Sequence, residues 1–168
     1  IYGRGGHGAR PHQAVDPILA AAHTITALQT LVSRRVDPLE EAVVTVGSIH
    51  GGFKHNVIPD EVHLQLTVRS YTDEVRAQLL DGIRQIATGT CKTFACPTQP
   101  KVVVKKNYTP AAYNEPELTN AAAELFRSIL GPQNVHLWPA GMGGEDFGRY
   151  SKHFGIPGLQ FRLGTVAP

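Results

Sequence analysis

Residues 62–69 alternate strictly between apolar and polar side chains, and no other feature constrains the possible fold of this chain so strongly. The apolar members are Val62, Leu64, Leu66 and Val68, and the polar members are His63, Gln65, Thr67 and Arg69. A period of two predicts a β-strand with one buried and one exposed face. Such a strand needs a layer of apolar side chains packed against its buried face.

Two amphipathic helices can supply this layer. Asp16-Pro17 predicts the start of a helix over residues 16–34, and Thr72-Asp73 predicts the start of a second helix. The expected apolar stripes are Ile18, Ala22, Ile25, Leu28 and Val32 in the first helix, and Val75, Leu79, Ile83, Ile86 and Ala87 in the second. We interpret both stripes as core rather than as binding sites.

Three further segments complete the pattern. Residues 42–49 are rich in β-branched side chains, residues 101–105 contain consecutive valines, and residues 1–5 are interpreted as the end of a strand. The resulting order is β-α-β-β-α-β. It predicts an α/β chain whose first domain, residues 1–106, is a four-stranded antiparallel sheet with two helices on one face, a ferredoxin-like α+β fold.

Residues 107–168 predict a second, incomplete α/β segment. A helix is expected at 115–130, with Asn114 as its cap and the stripe Leu118, Ala122, Leu125 and Ile129. Short strands are expected at 135–138 and 159–163, and a glycine-rich loop at 141–147 is expected to enter a helix. Because this segment cannot close a core alone, we expect it to belong to a larger domain.

Composition excludes several classes of function. The chain has 168 residues, 42% hydrophobic and 18% charged, as is typical of soluble globular proteins. A net charge of +2 with only short basic pairs argues against nucleic-acid binding, and no apolar run is long enough to span a membrane. Two cysteines five residues apart predict free thiols in a reducing compartment, so a cytoplasmic location is expected. Because the first residue is Ile1 and not Met, we interpret the chain as a piece of a longer protein.

The segment of residues 3–12 is the first candidate site because glycines surround its histidine. Glycines at positions 3, 5, 6 and 8 can take φ > 0 and allow a close approach of backbone or ligand, so we interpret His7 as a presented side chain. An ordinary exposed histidine is the alternative. His12 is interpreted as surface, and the spacing of the two histidines does not indicate a metal site.

Polar residues elsewhere extend the candidate site. Asn56 precedes the alternating strand and Arg69 lies near its far end, and with His7 they would form a hydrogen-bonding, cationic set for a carbonyl or anionic group. Solvent-exposed surface is the alternative for Arg69. The glycines of the 141–147 loop, with Gly144 and Glu145, are not spaced as a phosphate-binding loop.

Several motifs, in order along nearly the whole chain, resemble the M20 family of metallo-aminoacylases and carboxypeptidases. They are residues 5–12, 15–18, 44–47 with Gly51-Gly52, 56–59, 67–69 and 142–147. The most similar branch is that of the amidohydrolases which cleave N-acyl amino acids, including hippurate and auxin conjugates. The resemblance implies a catalytic domain with two divalent metal ions, zinc or manganese, interrupted by a lid or dimerisation domain of the β-α-β-β-α-β kind.

The resemblance also implies roles for individual residues. His7 corresponds to a lid histidine that reaches the partner subunit's active site and stabilises the oxyanion, and Asn56 and Arg69 correspond to a lid pair that holds the substrate's carbonyl or carboxylate. Gly144 and Glu145 fall in a substrate-binding loop of the returning catalytic domain. The segment with the metal ligands and the water-activating glutamate is not in this sequence, so this piece is expected to bind no metal and to be inactive alone.

The resemblance therefore predicts part of a homodimeric, metal-dependent hydrolase of N-acyl amino acids. Two alternatives remain: a non-catalytic dimerisation or binding module of ferredoxin-like fold, and an M20 dipeptidase or desuccinylase with a different substrate. A ferredoxin-like nucleic-acid binder is disfavoured because the chain lacks the aromatic pair and the basic face that it would need.

Overall fold

The computed structural model describes residues 1–165, which divide into two structural units, Ile1–Val104 and the chain from Lys105 onward. The first unit contains strands β1 (Gly6–His7), β2 (Ala42–His50), β3 (Val57–Ile58) and β4 (His63–Ser70), and helices α1 (Pro17–Thr30) and α2 (Asp73–Thr93). A 3-10 turn, Pro11–Gln13, precedes α1 and a π-helical turn, Leu31–Arg35, follows it. The second unit contains α3 (Pro116–Leu130), a 3-10 turn (Pro132–Asn134) and α4 (Gly148–Phe154).

Side-chain caps fix where the helices begin. The Asp16 carboxylate accepts hydrogen bonds from the amides of the first turn of α1, and the Thr72 hydroxyl accepts one from the first turn of α2. Both starts confirm the sequence prediction. The cap of α3 is Glu115 and not Asn114, because the Asn114 side chain instead exchanges two hydrogen bonds with the backbone of Gln160.

The predicted alternation places β4 against β2. The two strands are antiparallel, with Val44 opposite Val68 and Val46 opposite Leu66, and a bulge lies between Val46 and Ser48. Helices α1 and α2 pack on the face that carries these apolar side chains. The core consists of Leu28, Leu31, Val36, Val44, Val75, Leu79, Ile83 and Ile86.

The two helical stripes have different outcomes. The predicted stripe of α2 is buried throughout, which confirms it. The predicted stripe of α1 is confirmed only at Leu28: the helix otherwise buries Pro17, Ala20, Ala21 and Thr24, whereas Ile18 and Val32 are 41% and 38% exposed. The first turns of α1 are apolar on every side, so periodicity alone could not tell which face packs. The small side chains of Ala20 and Ala21 occupy the buried positions.

The structure does not confirm a single four-stranded sheet. The described residues contain two separate two-stranded sheets, β2 with β4 and β1 with β3. Residues 1–5 approach residues 60–62 through hydrogen bonds between Ile1 and Val62 and from Gly3 to Asp60, but only isolated bridges form there. Residues 101–105 form no strand: Val102 packs against the core, but no ladder partner lies beside it among the described residues. The single ferredoxin-like sheet stays a prediction.

The second unit has the predicted helices but not the predicted strands. Helix α3 covers the expected range and the 141–147 loop does lead into α4, whereas residues 135–138 and 159–163 are irregular. No residue of α3 is buried. The last three residues of the predicted second domain lie outside the described part of the chain. Within residues 1–165, no helix combines the length and the apolar character needed to cross a bilayer.

Candidate functional site

The short ladder between β1 and β3 brings His7 and Asn56 together. His7 lies opposite Val57, and the Gly8 amide donates to the Asn56 carbonyl oxygen at 2.8 Å. The two candidate residues, far apart in sequence, are therefore neighbours across one antiparallel pair. Both lie where the strands end, next to the loops of residues 8–10 and 51–56.

The His7 imidazole is exposed and has a defined orientation. Its Nδ1 atom accepts a hydrogen bond from the Ala9 amide at 3.1 Å. Since this uses the lone pair of Nδ1, the neutral ring carries its proton on Nε2. His7 can therefore offer an Nε2–H donor to a ligand, and its side chain is exposed rather than packed, as both the predicted role and the alternative of an ordinary surface histidine require.

The glycines around His7 act through close approach. Among the described residues the positive-φ glycines are Gly52, Gly131 and Gly155, so the glycines at positions 3, 5, 6 and 8 do not use their freedom to take φ > 0. A Cβ atom at Gly8 would lie 3.2 Å from backbone atoms of Asn56. The missing side chain at this position lets the two strands meet, because any methyl group would press on the Asn56 backbone.

Asn56 presents an unsatisfied polar atom. Its side-chain Oδ1 is buried and has no hydrogen-bond partner among the described residues, although the residue as a whole is only half-buried. A buried amide oxygen without a partner is costly, so such atoms occur where a ligand or a partner group supplies the donor. Asn56 thus offers an acceptor on the residue whose backbone contacts Gly8.

The structure does not bring Arg69 to this pair. Arg69 lies in β4 opposite Val43 and is half-buried, with no ion pair to a described residue. It is six residues along the strand from His63, the end of β4 that adjoins the His7 region, which corresponds to about 20 Å. One small substrate cannot contact His7 and Arg69 of the same chain over that distance.

Gly144 and Glu145 lie in the second unit, in the exposed irregular loop before α4. The Glu145 carboxylate accepts a hydrogen bond from the Phe147 amide at 3.2 Å, and Asp146 pairs with Arg149 at 3.0 Å. These contacts are what acidic residues near a helix start ordinarily make. These two contacts account for the conformation of the loop before α4 and do not require a ligand.

Sequence reasoning missed a depression that is bordered by Gly8 and Val57, the chain neighbours of His7 and Asn56. It has a volume of about 490 Å³ and its apolar lining residues are Ile18, Phe53, Val57, Ile58 and Pro59. Phe53 is 86% exposed. The available signal was a phenylalanine between a glycine pair and Asn56, in a segment where turn residues are expected.

Residues 1–94 match the peptidase dimerisation domain of the M20 family, which is more than half of the chain. The chain belongs to this family. An N-acetyldiaminopimelate deacetylase of Streptococcus sanguinis is 39% identical to this M20 chain over 166 residues, which cover 99% of the chain and 43% of that protein.

Solved structures resemble the M20 chain in fold as well. A protein of methicillin-resistant Staphylococcus aureus, proposed to be an aminohydrolase, matches with a TM-score of 0.75 and 36% identity over 91% of this chain and 39% of its own. A dinuclear metal-binding M20 peptidase of Bacillus subtilis matches with a TM-score of 0.61 and 28% identity over 93% of this chain and 37% of its own. The chain therefore spans about two-fifths of the length of these relatives.

The described part of this M20 chain contains no cluster of three or more histidine, cysteine, aspartate and glutamate side chains able to hold a metal ion. The cysteines are free, as predicted. Burial, reinforced by a hydrogen bond with Cys96, raises the pKa of the Cys91 thiol to about 12, so Cys91 is not a nucleophile at neutral pH.

Proposed function

We propose that this chain is the dimerisation domain and part of the catalytic domain of a metal-dependent amidohydrolase that cleaves the amide bond of N-acyl amino acids. The observation that carries the proposal is that the β1–β3 ladder and the Gly8–Asn56 backbone hydrogen bond bring His7, with its exposed Nε2–H donor, close in space to Asn56, whose Oδ1 has no partner among the described residues. The similarity to an N-acetyldiaminopimelate deacetylase supports this substrate class. We assign residues 1–106 to the lid and 107–168 to the catalytic domain, a division that the two structural units support.

His7 is proposed to bind the oxygen of the scissile carbonyl. Negative charge develops on this oxygen as the amide is attacked, and a donor already oriented by its Nδ1 contact stabilises that charge without reorganisation. Asn56, whose backbone carbonyl accepts the Gly8 amide, offers an acceptor for a substrate N–H. Together the two side chains would orient an amide group, which has one carbonyl and one N–H.

Arg69 is proposed to bind the substrate's carboxylate through its planar guanidinium. Its separation of about 20 Å from the end of β4 nearest to His7 means that the two groups of one chain serve different active sites. This arrangement requires two copies of the chain. Each active site of the homodimer would receive His7 and Asn56 from one subunit and Arg69 from the other.

The first unit offers surfaces for such a homodimer. Ile18, Leu19 and Val32 of the α1 segment are exposed, and among the described residues β2 pairs only with β4, which leaves its other edge free. Exposed apolar side chains and an open strand edge are common features of subunit interfaces. Either surface, or both, would form the contact between the lids.

The remaining assignments concern parts of the enzyme that this chain does not complete. Two divalent metal ions, zinc or manganese, would be held by ligands outside this chain and would supply the activated water. Gly144 and Glu145 would contact the substrate from the catalytic domain. The free thiols of Cys91 and Cys96 fit a cytoplasmic enzyme.

Substitution of His7 in the full-length enzyme tests this proposal. His7→Ala should lower kcat/KM for N-acetyl amino acids by about a hundredfold or more, because it removes an oxyanion donor. His12→Ala is the matched control, since His12 is an exposed histidine in the next turn, and it should leave the rate unchanged. An effect of His7→Ala within about threefold of the wild type would refute the assigned role.

A peptidase activity is the second candidate, and the similarity to the Bacillus subtilis M20 peptidase favours it. Dipeptides and N-acyl amino acids share the amide and the carboxylate, so the proposed lid contacts serve both. Rates on a dipeptide and on the N-acetyl form of the same C-terminal residue separate the two candidates. A full-length protein that dimerises and hydrolyses neither substrate would favour a non-catalytic dimerisation module.

A further inference from the structure

The loop between β2 and β3 presents Phe53 to solvent in a defined conformation. Gly52 has φ +78°, which reverses the chain, and the Val57 amide donates to the Lys54 carbonyl at 3.2 Å. The loop is thus a tight, hydrogen-bonded turn with an aromatic ring that is 86% exposed. An exposed phenylalanine on such a turn adds nothing to the core of this unit, and exposed apolar side chains of this size mark contact sites.

The position of Phe53 relates it to His7. Directly opposed residues of an antiparallel pair project to the same face, so the His7 imidazole and the Val57 side chain share one face of the β1–β3 ladder. Val57 and Phe53 both line the depression of about 490 Å³, and Gly8 borders it. The residue that follows His7 in the chain and the exposed aromatic ring of Phe53 therefore border the same depression.

We propose that Phe53 determines substrate specificity by contacting an apolar acyl group of the substrate. This inference rests on the proposed function, because it requires that His7 binds the oxygen of the acyl carbonyl. The acyl chain leaves the carbon next to that oxygen, so its first atoms must lie within a few ångströms of the His7 ring. An aryl or branched acyl group extends into the depression, whereas an acetyl group ends before reaching Phe53.

The chemistry of the lining favours an apolar occupant. Ile18, Ile58 and Pro59 line the depression together with Phe53, and the Asp16 carboxylate in its wall is occupied by the first turn of α1. Lys54 is the cationic side chain at the loop, and both it and the neighbouring His55 are exposed. An acyl group that ends in a carboxylate and pairs with Lys54 is the competing occupant, which the experiment must distinguish.

The test compares acyl groups on one amino acid in the full-length enzyme. Phe53→Ala should lower kcat/KM for the N-benzoyl substrate by about tenfold or more and leave the N-acetyl substrate within about twofold. Phe53→Leu should lower kcat/KM for the N-benzoyl substrate less than Phe53→Ala does, because leucine keeps an apolar contact. Leu39→Ala is the matched control: Leu39 is 90% exposed in the turn before β2, at the other end of that strand, and its loss should not affect either substrate.

Several results would overturn this inference and leave the proposed function intact. One is an equal loss on both substrates in Phe53→Ala, another is no loss on either, and a third is a wild-type enzyme that hydrolyses N-acetyl but not N-benzoyl substrates. A selective loss on an N-succinyl substrate in Lys54→Ala, with no effect of Phe53→Ala on N-benzoyl, would assign the depression to an acidic acyl group. If the wild type hydrolyses no N-acyl amino acid, the proposed function fails and the inference fails with it.

Discussion

The two structural units use similar helices in different ways. Helix α2 of the first unit buries its whole apolar stripe against β4, α1 and the π-helical turn. Helix α3 of the second unit has an equally regular stripe but buries none of it, and Leu125 and Ile129 are 57% and 68% exposed. An amphipathic pattern thus predicts a helix and its apolar face. It does not predict which other part of the protein packs against that face.

This difference has a consequence for folding. The first unit surrounds a core in which Leu28, Leu31 and Leu79 are fully buried, as an independent domain requires. In the second unit large apolar side chains stay exposed, among them Leu137, Trp138 and Phe161. Large exposed apolar side chains of this kind are typical of surfaces that further chain covers. We therefore expect the second unit to depend on further chain of the enzyme for its stability.

The largest expected effect comes from separating the units. A polypeptide of residues 1–106 should unfold cooperatively on heating, whereas one of residues 107–168 should give no cooperative transition, because it has too little buried apolar surface to offset its conformational entropy. Circular dichroism melts and hydrogen exchange of the two polypeptides measure this. A cooperative, exchange-protected polypeptide of residues 107–168 would contradict the comparison.

Prediction from sequence succeeded where one physical signal dominates. Helix α2 was predicted correctly in its start and in its buried face because it is long and has polar residues on its other side. Helix α1 was predicted in range only, because Ile18, Leu19 and the alanines that follow make several faces equally apolar. Residues 102–104 have the alternation of a strand, with Val103 exposed and its neighbours half-buried, but a strand also needs a hydrogen-bonding partner.

The candidate site shows the same limits. His7 and Asn56 were indicated by the family resemblance, and their adjacency follows from the β1–β3 register, which no local pattern in the sequence encodes. Arg69 was grouped with them because it lies in the strand that follows Asn56. However, each residue of an extended strand adds about 3.3 Å, so Arg69 lies far from the end of β4 that is nearest to His7. Phe53 was missed because an exposed aromatic residue has no periodic signature. Residue chemistry was readable from the sequence, and three-dimensional grouping was not.

Alanine substitutions at two glycines of α2 test how tightly the first unit is packed. A Cβ at Gly82 would collide with the buried Leu31 side chain, whereas a Cβ at Gly89 would meet no atom within 4 Å. Gly82→Ala should therefore lower the free energy of unfolding of residues 1–106 by about 1–3 kcal/mol through overpacking. Gly89→Ala should raise it by about 0.5–1 kcal/mol, because alanine favours the helix. Urea unfolding of both variants checks this.

The results for Gly82→Ala and Gly89→Ala test whether the first unit is more closely packed than the second. If Gly82→Ala stabilised the polypeptide as much as Gly89→Ala, Leu31 would have room to move, and the first unit would be as loosely packed as the second. Opposite signs for two identical substitutions in one helix would establish a close-packed interior.

The smallest expected effect concerns the thiol of Cys91, at the buried end of α2. Burial raises its pKa from the ordinary value of 9.0 to about 12, with Cys96 adding to the shift. Between pH 9 and about 12 the unfolded chain loses the Cys91 thiol proton, whereas the folded chain keeps it. The free energy of unfolding of residues 1–106 should therefore fall with pH above 9, and more steeply in the wild type than in Cys91→Ala. Urea unfolding at pH 8, 9 and 10 gives the slope of the free energy of unfolding against pH for each protein. Subtracting the slope of Cys91→Ala from that of the wild type removes the contribution of other groups that titrate in this range. Equal slopes would mean that water reaches Cys91 in the folded state, so that this end of the first unit resembles the open second unit.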